Sequence, residues 1–114
     1  SFGSPHHVRP IPGGIALYDN RWDDDGPTRL IEIALDETAA TADIVTALSV
    51  GSRCPIQGSW FDLPDGSKLS VCSGDDRSLF TLDEGGARTW QLHFECPTGP
   101  GARAPYRAVP VDLP

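Results

Sequence analysis

Short alternating segments separated by turns constrain this chain more than any other feature. In each segment apolar and polar side chains alternate, and Gly, Pro, Asn or Asp bound the segment at its ends. This pattern is typical of half-buried β-strands joined by tight turns. The 12 glycines and 11 prolines are spread along the chain rather than clustered, which suits many turns better than one low-complexity tail. The sequence therefore predicts an all-β fold.

Eight strands are predicted, in two groups of four. The first group comprises 6–10, 15–19, 29–35 and 41–48, and the second comprises 56–62, 68–72, 78–82 and 88–95. Within 15–19, alternation places Ile15, Leu17 and Asp19 on one face and Ala16 and Tyr18 on the other. A lone extended segment follows at 105–111. Because 114 residues correspond to one domain, all these segments are expected to belong to a single unit.

The two groups of strands look like copies of one unit. Ile11-Pro12-Gly13-Gly14 corresponds to Leu63-Pro64-Asp65-Gly66, and Leu35-Asp36-Glu37 corresponds to Leu82-Asp83-Glu84. A repeat of this length with four strands per copy is typical of a β-propeller blade. A self-contained β-sandwich of eight or nine strands is the alternative.

A propeller interpretation divides the chain into 5–48 as a first blade, 56–95 as a second blade and 105–111 as a closing segment. Propellers close with about four to eight blades, and two blades alone would expose apolar faces and open edges. We therefore expect the propeller to be completed by further blades of a larger protein or by other chains.

The balance of charge excludes some classes of partner. The formal net charge is −7, whereas nucleic acids and anionic membranes are bound through basic surfaces. No apolar run approaches the length of a transmembrane helix. An anionic substrate would have to meet a local cationic pocket that acts against the overall field.

The cysteines and the acidic loop offer few sites. Three cysteines leave at least one unpaired within the chain, and one possibility is a disulfide between Cys54 and Cys96 with Cys72 as an ordinary buried thiol. Oxygen donors from Asp19 to Asp25 could suit calcium, but their spacing is not that of an EF-hand, so a solvated acidic loop is favoured. No metal site and no cofactor are predicted.

Several short motifs follow one another in a distinctive order. They are His6-x-x-Arg9, Pro12-Gly13-Gly14, Leu17-Tyr18-Asp19-Asn20, Thr28-Arg29-Leu30-Ile31-Glu32-Ile33-Ala34-Leu35-Asp36 and Tyr106-Arg107-Ala108. In order and spacing these motifs resemble the C-terminal part of bacterial arylsulfotransferases of the PAPS-independent, propeller type. The resemblance extends over nearly the whole chain.

That resemblance implies a six-bladed propeller, located outside the cell or in the periplasm, that moves a sulfuryl group from a phenolic sulfate donor to a phenol acceptor. The family uses a transiently sulfated histidine in its central channel, and His6 is the matching residue here. Arg9 and Asn20 are the matching candidates for substrate binding. The other channel residues of the family would lie in earlier blades, and activity would need them.

A non-catalytic propeller module that acts in binding or assembly is the alternative. Pro5 stands where the family usually has Gln, and Arg21-Trp22 stands where it keeps a glycine-rich step. These departures favour the module, whereas the retained His6 and Arg9 favour the enzyme.

Structural roles are predicted for the other polar candidates. His7 would lie on the face opposite His6, and His93 would be solvated. Arg29 would form a salt bridge with Asp19 or Glu32. The Tyr106-Arg107 segment would pack back on the propeller.

Overall fold

The chain folds into two four-stranded antiparallel sheets. The computed structural model describes residues 2–74, 76–95 and 105–111. The first sheet contains, in order, β1 (His6–Ile11), β2 (Gly14–Asp19), β3 (Arg29–Asp36) and β4 (Thr41–Ser49). The second contains β5 (Ile56–Asp62), β6 (Lys68–Ser73), β7 (Ser78–Leu82) and β8 (Arg88–His93). The all-β prediction is confirmed, whereas closure into a propeller stays a prediction.

Alternation of side chains placed the strands well. Seven of the eight strands begin and end within one residue of their predicted bounds, and only β8 ends earlier, at His93. Across the described ranges there is no helix long and apolar enough to cross a membrane.

The main core lies between the two sheets. Its largest side chains are completely buried; they are Tyr18, Leu30, Trp60, Phe80 and Leu82. On β2, Ala16 and Tyr18 point into this core while Leu17 packs in a separate cluster on the other face, as alternation predicts. The indole of Trp60 also donates a hydrogen bond of 2.9 Å to the carbonyl of Leu17, which joins the two sheets directly.

A β-bulge in β1 changes which side chains share a face. His6 lies opposite Tyr18, but Arg9 lies opposite Ala16, so two residues of β1 face one residue of β2. His7 adopts a φ of 50°, a left-handed conformation that few non-glycine residues take. In a regular strand, residues three apart point to opposite faces, whereas here the extra residue brings His6 and Arg9 to the same face.

The disulfide pairing differs from the one considered from the sequence. Cys54 is bonded to Cys72, with Cα atoms 5.3 Å apart, and Cys96 lies outside the described residues. The reason is the β5–β6 hairpin, in which Ile56 at the start of β5 pairs with Ser73 at the end of β6. That pairing brings the residues just before β5 next to the end of β6, where Cys72 lies, so the possible bond between Cys54 and Cys96 does not form.

The outer face of the second sheet is apolar and only partly covered. Strand register aligns Leu79 with Leu92 and Thr81 with Trp90 on the side away from the core. Trp90 and Leu92 are about half exposed. Segment 105–111 lies beside β5 and β6, at the opposite edge of this sheet. The amide of Ala108 donates to Ser59 Oγ at 3.3 Å, and the hydroxyl of Ser73 donates to the carbonyl of Pro105.

Candidate functional site

The side chain of Asn20 connects the two sheets and contacts His6. Asn20 directly follows β2 and is completely buried. Its Nδ2 donates to the carbonyl oxygens of Cys54 at 2.6 Å and of Gln57 at 2.7 Å. Because both of these partners can only accept, they fix the orientation of the amide. Its Oδ1 is thereby directed at His6 Nδ1, 2.8 Å away.

This network sets the tautomer of His6. Asn20 Oδ1 has no proton to give, so the hydrogen bond requires a proton on His6 Nδ1. The carbonyl of Ser4, 3.1 Å from the same nitrogen, imposes the same requirement. In the neutral ring the lone pair is then on Nε2, which is the atom that can act as a nucleophile or base. The structure therefore brings together two of the three residues singled out from the sequence.

The backbone that holds Asn20 is itself braced. Thr28 is buried, and its hydroxyl accepts a hydrogen bond from the Cys54 amide at 2.9 Å. Cys54 is tied to β6 through its disulfide with Cys72. The carbonyl that orients Asn20 is thus fixed by a covalent bond on one side and by a hydrogen bond on the other.

The ion pair at the end of β2 also anchors the residues that precede His6. Asp19 is completely buried, and it forms a close ion pair with Arg29, one of the two pairings predicted for that arginine. The other carboxylate oxygen of Asp19 accepts from the amide of Gly3 at 3.0 Å. Residues just before β1 are therefore anchored to the end of β2.

Arg9 is on the same face as His6 but packs against β5. Its guanidinium lies 4.8 Å from the ring centroid of Trp60 and 5.3 Å from that of Phe61. Its Nη2 is 3.5 Å from a carboxylate oxygen of Asp62. Within the described part of the chain, Nε and Nη2 of Arg9 are buried and have no hydrogen-bond partner. Arg9 is therefore held by the two aromatic rings and by the charge of Asp62.

His7 is part of the structure of this region. Its Nδ1 accepts a hydrogen bond of 3.2 Å from the amide of Trp60, and its ring lies 4.7 Å from that of Phe61. Desolvation, followed by the charges of Arg107 and Arg9, lowers the pKa of His7 to about 4. His7 is therefore neutral at pH 7, with its proton on Nε2, the opposite tautomer to His6.

A second cation borders Trp60. The ammonium group of Lys68 lies 5.3 Å from the Trp60 ring. It forms a close ion pair with Asp62 and lies 3.8 Å from Glu32. Two cations, Arg9 and Lys68, therefore border Trp60, and the carboxylates of Asp62 and Glu32 lie beside them.

In the acidic loop after β2, the carboxylate of Asp24 already accepts hydrogen bonds from the protein. Asp24 accepts from the guanidinium of Arg21 and from the amide of Gly26 at 2.8 Å. In the ranges that the structure covers, no group of three or more His, Cys, Asp or Glu side chains is arranged to hold a metal ion.

Comparison with known proteins gives one distant similarity. The chain is 29% identical over 108 residues to a cyclomaltodextrin glucanotransferase from Bacillus sp. (strain 17-1). The similarity covers 90% of this chain, which spans only 15% of the length of that curated relative. No protein-family profile matches the chain, and no solved structure matches it. The resemblance to arylsulfotransferases stays a prediction.

Proposed function

We propose that this chain carries the nucleophilic histidine of an arylsulfotransferase-like site, with His6 as the residue that is transiently sulfated. The hydrogen bond from His6 Nδ1 to a fixed amide oxygen is the observation that supports this most directly. In the neutral ring this hydrogen bond leaves the lone pair on Nε2, the atom that would attack sulfur. Asn20 is buried with both ends of its amide engaged, so in this proposal it positions His6 rather than binding substrate.

The chemistry divides into two displacements at sulfur. In the first, His6 Nε2 attacks the sulfur of an aryl sulfate, the N–S bond forms, and the S–O bond to the aryl group breaks with release of a phenolate. In the second, the oxygen of an acceptor phenol attacks the same sulfur, the N–S bond breaks, and its electron pair returns to Nε2. The proton of the acceptor phenol passes to solvent or to the phenolate released in the first step. A covalent intermediate of this kind replaces one difficult step by two easier ones.

Asn20 contributes to both steps by holding the proton on Nδ1. When Nε2 becomes sulfated, the imidazole ring gains positive charge, and the hydrogen bond to Asn20 Oδ1 stabilises that charge. A neutral amide suits a reversible carrier, because a carboxylate at the same place would stabilise the charged ring more strongly and would slow the second displacement.

The two sheets are proposed to be adjacent blades of a six-bladed propeller. Their inner strands β1 and β5 contact each other, and the apolar outer face with Trp90 and Leu92 is available for a further sheet. The site would open toward the propeller axis and would be completed by residues of the remaining blades, so full activity is expected only from the complete assembly.

Sulfation of His6 is tested with para-nitrophenyl sulfate and the native assembly that contains this chain. Release of nitrophenolate in the presence of phenol measures turnover, and intact mass detects a covalently added sulfuryl group. We expect the added mass to map to His6 and to vanish in His6→Gln, with His93→Gln as a matched control because His93 is exposed on β8. Equal labelling of both histidines, or turnover in His6→Gln, contradicts the proposal.

Binding without catalysis is a second candidate, favoured by the distant similarity to a glucanotransferase and by exposed aromatic residues such as Trp22 and Trp90. It predicts no sulfated intermediate and saturable binding to a soluble glucan that Trp90→Ala weakens. Isothermal titration with a maltooligosaccharide tests this candidate independently of any sulfate donor.

A further inference from the structure

We propose that a neutral carbohydrate binds in a pocket between two turns of the second sheet, with the indole of Trp90 beside it. The pocket has a volume of about 440 Å³, and it is lined by residues of the turns 63–67 and 83–87 and by the strand residues Thr81 and Thr89. A volume of this size is typical of small-molecule sites. The inference deepens the second candidate function, on which it rests, and it uses none of the residues around His6.

The pocket is separated from the His6 network by the length of β5. Leu63 lines the pocket and directly follows β5, whereas Gln57, whose carbonyl orients Asn20, is the second residue of that strand. Strands β5 to β8 pair antiparallel in chain order, so the turn after β5 and the turn after β7 lie at the same end of the sheet. Loss of the pocket should therefore leave the contact of Asn20 with His6 intact.

The two turns that line the pocket are held in the same way. In each, the amide of the first residue donates to the carbonyl of the fifth, at 2.8 Å in 63–67 and at 2.9 Å in 83–87. The side chain of Glu84 reaches from one turn toward the other, since a Cβ on Gly66 would lie 3.2 Å from Glu84 Oε1. The walls are thus formed before a ligand arrives, which lowers the cost of binding.

The carboxylates of the pocket have acceptor oxygens to spare. Asp65 Oδ1 accepts from the amide of Ser67 at 3.0 Å and from its hydroxyl at 2.6 Å, and Asp83 Oδ1 accepts from the amide of Ala87 at 2.8 Å. The second oxygen of each, and the carboxylate of Glu84, have no hydrogen bond to another described residue. None of the described lining residues is cationic, so the pocket suits a ligand that donates hydrogen bonds rather than an anion.

The hydroxyls of the pocket supply a donor as well. Thr81 Oγ1 and Thr89 Oγ1 are 2.9 Å apart, and whichever of them donates, the other keeps its proton for a ligand. A sugar hydroxyl also donates and accepts, so it can pair with the carboxylates and with this threonine. An ammonium group only donates and would leave the threonine proton unused. The lining therefore favours a carbohydrate over an organic cation.

Trp90 adds an apolar surface next to these polar groups. Strand pairing places Trp90 opposite Thr81, so the two side chains are neighbours on one face of the sheet. The indole is about half exposed and can cover the C–H face of a sugar ring. The further sheet that a complete propeller needs would cover Trp90, so this site belongs to the binding candidate and not to the closed propeller.

The test is calorimetric titration of the native protein that contains this chain with two probes, maltotriose and an α-mannotriose. We expect Trp90→Ala and Glu84→Ala each to weaken binding of the probe that binds by about tenfold. Trp22→Ala is one matched control, because Trp22 is an exposed indole outside the pocket. Glu37→Ala is the other, because Glu37 has the equivalent place in the first sheet. Both controls should change the affinity by less than about twofold.

A neutral ligand and a cation are separated by Glu84→Gln. The amide keeps an acceptor oxygen but loses the charge, so this variant should retain part of the affinity that Glu84→Ala loses, and added salt should leave the affinity unchanged. Circular dichroism establishes that each variant is folded. Equal losses in Glu84→Gln and Glu84→Ala, or binding of tetramethylammonium in place of either sugar, overturns the carbohydrate site.

Failure of this inference can be told apart from failure of the second candidate function. If maltotriose binds and only Trp22→Ala weakens it, glucan binding stands and the pocket is overturned. If the mannotriose binds with the expected losses and maltotriose does not, the pocket stands and glucan binding fails. Absence of binding by both sugars overturns the pocket, whereas the sulfation of His6 is measured separately.

Discussion

The first strands of the two sheets share a backbone irregularity but carry different chemistry. Both β1 and β5 have a bulge, and in both the second residue adopts a left-handed conformation, with φ of 50° at His7 and 54° at Gln57. In β1 this irregularity presents His6, His7 and Arg9. In β5 the corresponding stretch contributes mainly backbone, such as the Gln57 carbonyl that orients Asn20.

The bulge is thus a feature of the scaffold, and the side chains placed on it decide the chemistry of each strand. The β5 bulge supplies a carbonyl that orients Asn20, whereas the β1 bulge brings His6 and Arg9 to one face. Four predictions test this contrast between β1 and β5.

The largest effect is expected at Gly58, the residue after the left-handed position of β5. Its own φ is 93°, and a Cβ there would lie 2.4 Å from the ring of Tyr18. Gly58→Ala should lower the free energy of unfolding by about 4 kcal/mol through backbone strain and overpacking. Val8→Ala, at the equivalent place in β1, should change it by less than about 0.5 kcal/mol because Val8 is exposed. Urea denaturation measures both, and similar losses would contradict the comparison.

The next effect concerns how each first strand is anchored. A disulfide precedes β5, whereas the Gly3 amide before β1 is held by a hydrogen bond to Asp19. The double change Cys54→Ser with Cys72→Ser should lower the free energy of unfolding by about 3 kcal/mol, given the loop that the disulfide closes. Hydrogen exchange should then quicken at the start of β5. Faster exchange confined to β1 would show that the two anchors had been assigned wrongly.

A smaller effect follows from the pKa of His7. Gln57, at the same position in β5, has no titratable side chain and cannot produce this effect. The folded value is about 4 and the ordinary value is 6.5, so the unfolded chain binds the additional proton between these pH values. Stability is therefore complete above pH 6.5 and decreases as the pH falls toward 4. Solvent screening of a half-exposed ring limits the loss to about 1 kcal/mol.

His7→Gln makes β1 resemble β5 and should remove this decrease. Arg9 on the same strand and Arg107 from segment 105–111 are the cations that face the ring, and both disfavour its protonation. Thermal unfolding measured from pH 4 to pH 7 tests how strongly the stability depends on pH. An unchanged slope in His7→Gln would place the titrating group elsewhere.

The smallest effect is expected for the contact of β5 with segment 105–111. Ser59→Ala removes the hydroxyl that accepts from the amide of Ala108 and should lower the free energy of unfolding by about 0.5 kcal/mol. The decisive measurement is exchange of the Ala108 amide, which should become faster. Ser67→Ala, in the turn between β5 and β6, is a control whose hydroxyl bonds only within its own turn to Asp65.

The sequence predicted the strands and part of the site for different reasons. Alternation of apolar side chains is a direct consequence of strand geometry, so the boundaries followed from it. The resemblance singled out His6 and Asn20 as separate candidates, and the hydrogen bond between them appears only in the structure. The bulge could not be foreseen, because His7 is not a glycine and carries no local sign of a positive φ.

Two further features illustrate what a linear pattern omits. The Cys54–Cys72 bond follows from the β5–β6 hairpin, and strand pairing applied to the predicted strands would have favoured it over Cys96. By contrast, the approach of Arg107 to His7 joins residues from the two ends of the chain. Such contacts depend on tertiary packing, which periodicity does not report.

The burial of Trp60 has a consequence for observing this protein at work. Of its three tryptophans, Trp22 and Trp90 are more than half exposed, whereas Trp60 is completely buried beneath the cations of the site. A polar quencher of fluorescence such as acrylamide will suppress emission from the two exposed indoles first. The remaining emission comes from Trp60, next to Arg9 and Lys68, so the fluorescence of this residue would report the binding of a charged ligand.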